Sequence, residues 1–156
     1  MKLILIGVSL MIGLGAACNK ETTGTDPKPP SCEGAATTRD EASKRIIGRW
    51  KWEQTYTYLR GMAGPEVKTP ASTGEERELV FTADNTMQVL VNGKQTESRK
   101  FQLNGQGTDP VLLFSSRLAS ESTFGGGVLL QLCPSQLILN AQYNDSGGIT
   151  SYRRVP

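Results

Sequence analysis

From residue 49 the chain alternates with a period of two. In Arg49-Trp50-Lys51-Trp52-Glu53-Gln54-Thr55-Tyr56-Thr57-Tyr58, residues Trp50, Trp52, Gln54, Tyr56 and Tyr58 fall on one side and Lys51, Glu53, Thr55 and Thr57 on the other. That pattern predicts a half-buried strand with its aromatic residues inward. Further strand-like runs follow at 77–82, 86–92, 95–103, from 111, 128–132, 137–141 and 149–155. Turn chemistry separates them: Ala83-Asp84-Asn85, Asn92-Gly93, Asn104-Gly105-Gln106-Gly107, Gly125-Gly126-Gly127, Pro134-Ser135 and a Gly-rich stretch at 144–148. Asn92-Gly93 predicts a type I′ hairpin. Residues 61–74 form the longest polar loop. Ahead of the first strand, Thr38-Arg39-Asp40-Glu41 reads as a capping box opening a short helix to about Ile47, stopped by Gly48. Eight short strands and one helix describe a closed meander or a sandwich. Closure also removes exposed edges, so the expectation is an all-β, eight-stranded antiparallel up-and-down barrel with one short N-terminal helix.

The N-terminal 36 residues lack this periodicity. Met1 and Lys2 precede an uncharged apolar run over residues 3–17. A bilayer span needs about 20 such residues, so the run predicts a removable signal peptide over 1–17. It ends in Leu14-Gly15-Ala16-Ala17-Cys18, which resembles the lipobox of bacterial lipoproteins and implies acylation of Cys18. The alternative is an ordinary secretory signal cleaved near Ala17. Several acyl chains hold a protein durably at a membrane, at roughly 0.8 kcal/mol per buried methylene. Asn19 after the cysteine resembles the sorting pattern for the outer membrane, leaving periplasmic or surface orientation open. Residues 18–36, rich in Pro, Gly, Thr and charge, predict a disordered tether with a span of roughly 20–25 Å. The barrel domain is then 37–156.

Composition narrows the chemistry. The 139 residues after Ala17 carry sixteen Lys and Arg against fifteen Asp and Glu. This near-neutral balance gives no reason to expect nucleic acid as a partner. The chain has no histidine, which removes Ser-His-Asp and Cys-His catalysis and imidazole metal sites. Glu75, Glu76 and Glu78 read as solvated carboxylates. The glycine run at 125–127 lacks the Lys-Ser/Thr of a phosphate loop. No enzyme, cofactor or metal is therefore expected. With Cys18 assigned to lipid, Cys32 and Cys133 remain. An oxidising envelope favours pairing them, though their spacing leaves the pairing open. A bridge would close a loop of about 100 residues and contribute up to about 4.7 kcal/mol in the chain-entropy description.

Gly48-Arg49-Trp50, directly after a short helix, resembles the Gly-x-Trp that opens the first strand of lipocalins. Phe81-Thr82-Ala83-Asp84, the Asn92-Gly93-Lys94 hairpin and Tyr152-Arg153-Arg154-Val155 extend the likeness. From about Ile46 to Val155 the chain resembles the lipocalin-like domains of bacteroidete lipoproteins. The resemblance implies that Arg153 or Arg154 packs over Trp50, which plugs the base. It also implies a binding module for a small apolar or amphipathic ligand, with Trp52, Tyr56 and Tyr58 lining the cavity. Two further readings stay open. The aromatics can simply fill the interior, since eight strands leave a lumen that side chains can occupy. The loops at 61–74 and 119–127 can instead dock an envelope protein or inhibit a protease.

Overall fold

The computed structural model describes residues 28–58, 64–106, 109–116, 128–141 and 148–156. The expected signal segment, Cys18 and the first part of the tether lie outside the described residues. So do the loop at 119–127 and most of the turn at 144–148.

The described chain is mostly β, with few helices. Its elements are α1 (Arg39–Ile46), β1 (Gly48–Thr57), β2 (Glu66–Lys68), α2 (Pro70–Thr73), β3 (Arg77–Phe81), β4 (Thr86–Val91), β5 (Lys94–Gln106), β6 (Asp109–Ser116), β7 (Val128–Leu132), β8 (Gln136–Asn140) and β9 (Ile149–Val155). The strands form one strongly curled antiparallel sheet in the order β2-β1-β3-β4-β5-β6-β7-β8-β9, and β1 also pairs with β9. β1 is shared along its length: Gly48 to Lys51 pair with β3, Thr55 to Thr57 pair with β2, and its other edge pairs with β9 from Arg49 to Tyr56.

Three local features depart from the sequence expectation. The described residues hold nine strands rather than eight, because β2 and the single turn α2 form inside the stretch expected as a loop. There Thr69 and Ser72 cap each other reciprocally: Thr69 Oγ1 accepts from Ser72 N–H at 3.2 Å, and Ser72 Oγ accepts from Thr69 N–H at 2.9 Å. Asn104-Gly105 does not turn. β5 continues through it, with Asn104 opposite Leu113 and Gly105 opposite Leu112, and a bulge before Gln106 absorbs the irregularity. The Asn92-Gly93 hairpin does form, with φ of 50° and 76°, the two positive values a type I′ turn requires.

The third departure shapes the interior. Partners across an antiparallel pair share a face. Trp50 faces Arg154 and Trp52 faces Tyr152, but the next pairs are Gln54 with Ser151, Thr55 with Thr150 and Tyr56 with Ile149. Glu53 is thus an extra residue on β1. One extra residue reverses every later side chain, so Thr55 takes the inner face and Gln54 and Tyr56 turn outward.

The core lies on the inner face. Ala42 and Ile46 of α1 pack with Trp50, Phe81, Met87, Phe101, Leu132 and Leu137, and Ile46, Trp50, Leu132 and Leu137 are sealed from solvent. Each such large apolar side chain stabilises the fold by about 1.5–3 kcal/mol. Phe81 and Phe101 meet edge to face with centroids 5.1 Å apart, a geometry aromatic quadrupoles favour. Helix α1 starts at Thr38, whose hydroxyl accepts from Glu41 N–H at 3.3 Å. Asp40 and Glu41 occupy its first turn and Lys44 and Arg45 its last, which suits the helix dipole.

Residues 32–36, which composition places in the tether, are held against the sheet. Cys32 and Cys133 form a disulfide with Cα atoms 6.2 Å apart. The Ala36 amide donates to Leu132 O at 2.8 Å, and Arg45 Nη1 donates to Gly34 O at 2.8 Å.

Candidate functional site

Two residues apart on β1, Trp50 and Trp52 mark two ends of the inner face. At the α1 end, Trp50 Nε1–H donates to Ile46 O at 2.8 Å, so the buried indole spends its one donor on the helix C-terminus. The Arg154 guanidinium lies 5.1 Å from the Trp50 ring. Its two terminal nitrogens donate to Arg45 O at 2.7 Å and Ile47 O at 2.8 Å. These bonds satisfy carbonyls that a helix end leaves without partners. Gly48, at φ +130°, lets the chain pass beneath this guanidinium; a Cβ there would sit 3.2 Å from Arg154 Nη2. Of the two candidate arginines, Arg154 therefore packs over Trp50. Arg153 points the other way and pairs with Glu53 at 3.2 Å. Parity decides it, since Arg154 is the residue opposite Trp50 in the β1–β9 register.

At the other end the groups are polar but only partly spent. Trp52, itself buried, donates through Nε1 to Thr55 Oγ1 at 3.1 Å, and Thr55 Oγ1 lies 3.2 Å from Thr150 Oγ1. The Arg77 guanidinium covers the Trp52 ring at 5.1 Å. Glu75 grips that guanidinium in a fork: Nε donates to Oε1 at 2.6 Å and Nη2 to Oε2 at 3.2 Å. The hydrogen bonds from Arg77 hold the Glu75 carboxyl below the ordinary carboxylate range, with the guanidinium charge adding to the effect against a burial penalty. The same bonds raise Arg77. Tyr152, opposite Trp52, is enclosed; burial pushes its hydroxyl up to about 12, against the pull of the Arg77 charge. It remains a neutral phenol at physiological pH.

The sequence-predicted ligand trio is not brought together. Trp52 lies in the interior, Tyr56 turns outward beside Val67 and Ile149, and Tyr58 is 61% exposed. The bulge at Glu53 is the cause. In the sequence Glu75 reads only as a solvated carboxylate and Tyr152 only as part of the closing-strand motif, and Arg77 carries no functional role. Glu75 precedes β3 by two residues and lies outside its ladder; its i, i+2 spacing to Arg77 is the signal that could have joined them. Among the described residues, no three His, Cys, Asp or Glu side chains are grouped where a metal ion could be held. No helix among them is long and apolar enough to cross a membrane. No protein-family model, curated protein or solved structure matches the chain.

Proposed function

We propose that the protein is a membrane-anchored, lipocalin-like binding module whose site is the Trp52 end of an eight-stranded barrel. In this reading β1 and β3 to β9 close the barrel through the β1–β9 register, and α1 is the short N-terminal helix that stoppers its base. Lipid on Cys18 carries the domain at the outer membrane. One observation bears the functional reading. The two ends of the inner face are unlike: the Trp50 end has its polar groups committed to α1, while the Trp52 end gathers Arg77, Tyr152, Thr55 and Thr150 around a buried indole. Convergent polar groups over an apolar floor suit a small amphipathic ligand. The test is a titration of intrinsic tryptophan fluorescence with fatty acids and hydrophobic dyes, in the native chain and in Trp52→Phe. A saturable change that Trp52→Phe abolishes supports the reading, and the absence of any change in the native chain sinks it.

A second reading rests on Tyr58, the large hydrophobic residue that the described surface exposes. There the interior is simply filled, and loops near β2 dock an envelope protein. Cross-linking in intact cells from residue 58 separates the two, since a ligand-binding barrel predicts no protein adduct at that position.

A further inference from the structure

A cleft opens at the α1 end of the sheet, opposite the Trp52 end. It encloses about 190 Å³ and is lined by Arg39 and Ser43 of α1, Asn85 of the β3–β4 turn, and Phe101, Gln102 and Leu103 of β5. The fold leaves this space where β4 begins later than β5 ends. Thr86, the first residue of β4, pairs with Lys100, and β5 runs on beyond it to Gln106. The Asn85 carbonyl still accepts the Phe101 amide at 2.9 Å. Backbone groups alternate in direction along a strand, so the Leu103 amide faces this same edge, where β4 no longer runs alongside.

The side chains around the cleft are uncommitted. Arg45, Arg49, Arg77, Arg99, Arg153 and Arg154 each hold a carboxylate or a backbone carbonyl. Arg39 is the arginine among the described residues that holds neither. The side chains of Ser43, Asn85 and Gln102 likewise make no hydrogen bond to a described residue. Asn85 is nonetheless fixed in place. It sits in the left-handed region at φ 60°, with its amide donating to Thr82 O at 3.1 Å and its carbonyl taken by Phe101. No carboxylate is among the lining residues.

We propose that this cleft binds a phosphomonoester carried on a small hydroxylated body. Arg39 takes two phosphate oxygens through its fork. Ser43 lies four residues on and so on the same helix face, and with the Leu103 amide it supplies further donors. These donors stand on separate elements and meet an anion from several sides, which suits a tetrahedral phosphate better than a planar carboxylate. The space is about six times the share of one water in the liquid, more than a bare phosphate fills. Carboxamides both donate and accept, so Asn85 and Gln102 match the hydroxyls of the attached body. A soluble ester and a lipid headgroup offer the same chemistry. The site requires no ligand in the interior and is independent of the binding reading above.

The test is amide NMR on the full chain in phosphatidylcholine nanodiscs, titrated with glycerol 3-phosphate and separately with glycerol. Saturable shifts are expected at the Leu103 amide and at the Asn85 and Gln102 carboxamides, with glycerol at least about tenfold weaker. Arg39→Gln should weaken the ester about tenfold or more. Asn85→Gly, which suits the left-handed backbone and removes only the carboxamide, should weaken it about threefold. Lys44→Gln removes the same charge from the same helix outside the cleft and should change affinity by less than about twofold. Replacing part of the phosphatidylcholine with phosphatidic acid identifies the source. The same shifts without soluble ester support the site with a headgroup as ligand, and shifts with the soluble ester alone support it with a free one. No saturable shift with either phosphate, equal affinity for glycerol, or equal losses in Arg39→Gln and Lys44→Gln overturns the proposal.

Discussion

Trp50 and Trp52 stand two residues apart on β1, and each has an arginine 5.1 Å from its ring. The two arginines are held by different partners. Arg154 donates to backbone carbonyls at 2.7 and 2.8 Å, groups that cannot leave without unwinding the end of α1. Arg77 is held instead by the Glu75 side chain, in a pair whose two side chains are both partly exposed. The same cation–π geometry therefore comes with a backbone-held arginine at one end, the stopper of the proposed barrel, and a side-chain-held arginine at the other, its clasp. What separates them is the company of the cation, not its distance from the ring.

Removing the centre of the stopper gives the largest effect. Trp50→Ala should cost about 3–5 kcal/mol, read as a lower denaturant midpoint, because the ring is fully buried and its donor satisfies Ile46 O. Arg154→Met keeps the length of the side chain but strands two carbonyls, and should cost about 2–3 kcal/mol. Arg77→Met, the matched change at the clasp, should cost under about 1 kcal/mol, since it loses only an exposed ion pair and one cation–π contact. If chemical denaturation gave equal losses for the two methionine variants, the contrast between the ends would fail. The smallest effect is acid release of the clasp. Glu75 has a depressed pKa when folded, so its contribution is complete above the ordinary carboxylate range and is lost as pH falls through the depressed value. Carboxyl NMR should show Glu75 titrating below ordinary glutamates in the native chain and returning to them in Arg77→Met. The Trp50 end holds its arginine with no carboxylate and should stay indifferent over that range.

Much of the sheet was legible because it follows from local chemistry. The aromatic alternation placed β1, and Asn92-Gly93 set a hairpin whose backbone only a few residue types adopt. The expected lipocalin likeness rested on Gly48, Trp50 and the arginines that follow Tyr152. The bulge at Glu53 was not legible. No Gly or Pro marks it, and it arises from the register β9 adopts a hundred residues away. That single residue sends Tyr56 outward and dissolves the aromatic row on which a cavity was expected. Asn104-Gly105 misled in the opposite sense: turn-forming residues stayed extended because β6 continued to pair with them. The Glu75–Arg77 fork was hidden by its neighbours Glu76 and Glu78, which made the segment look like a solvated acidic cluster. Which carboxylate takes an arginine depends on the face each residue presents, and the local start of β3 sets that face.

The disulfide between Cys32 and Cys133 has a mechanical consequence. It fastens the chain to the β7–β8 turn before α1 begins. A pull arriving from the N-terminal side is met first by this covalent joint, backed by the Ala36 amide on Leu132 O. The helix and the Trp50 contacts behind it cannot be peeled away one after another like tape from an edge. They come loose only if the bridge is cut or the sheet around Cys133 tears as a block. The weakest part of a small domain, its leading end, is thereby shielded from load.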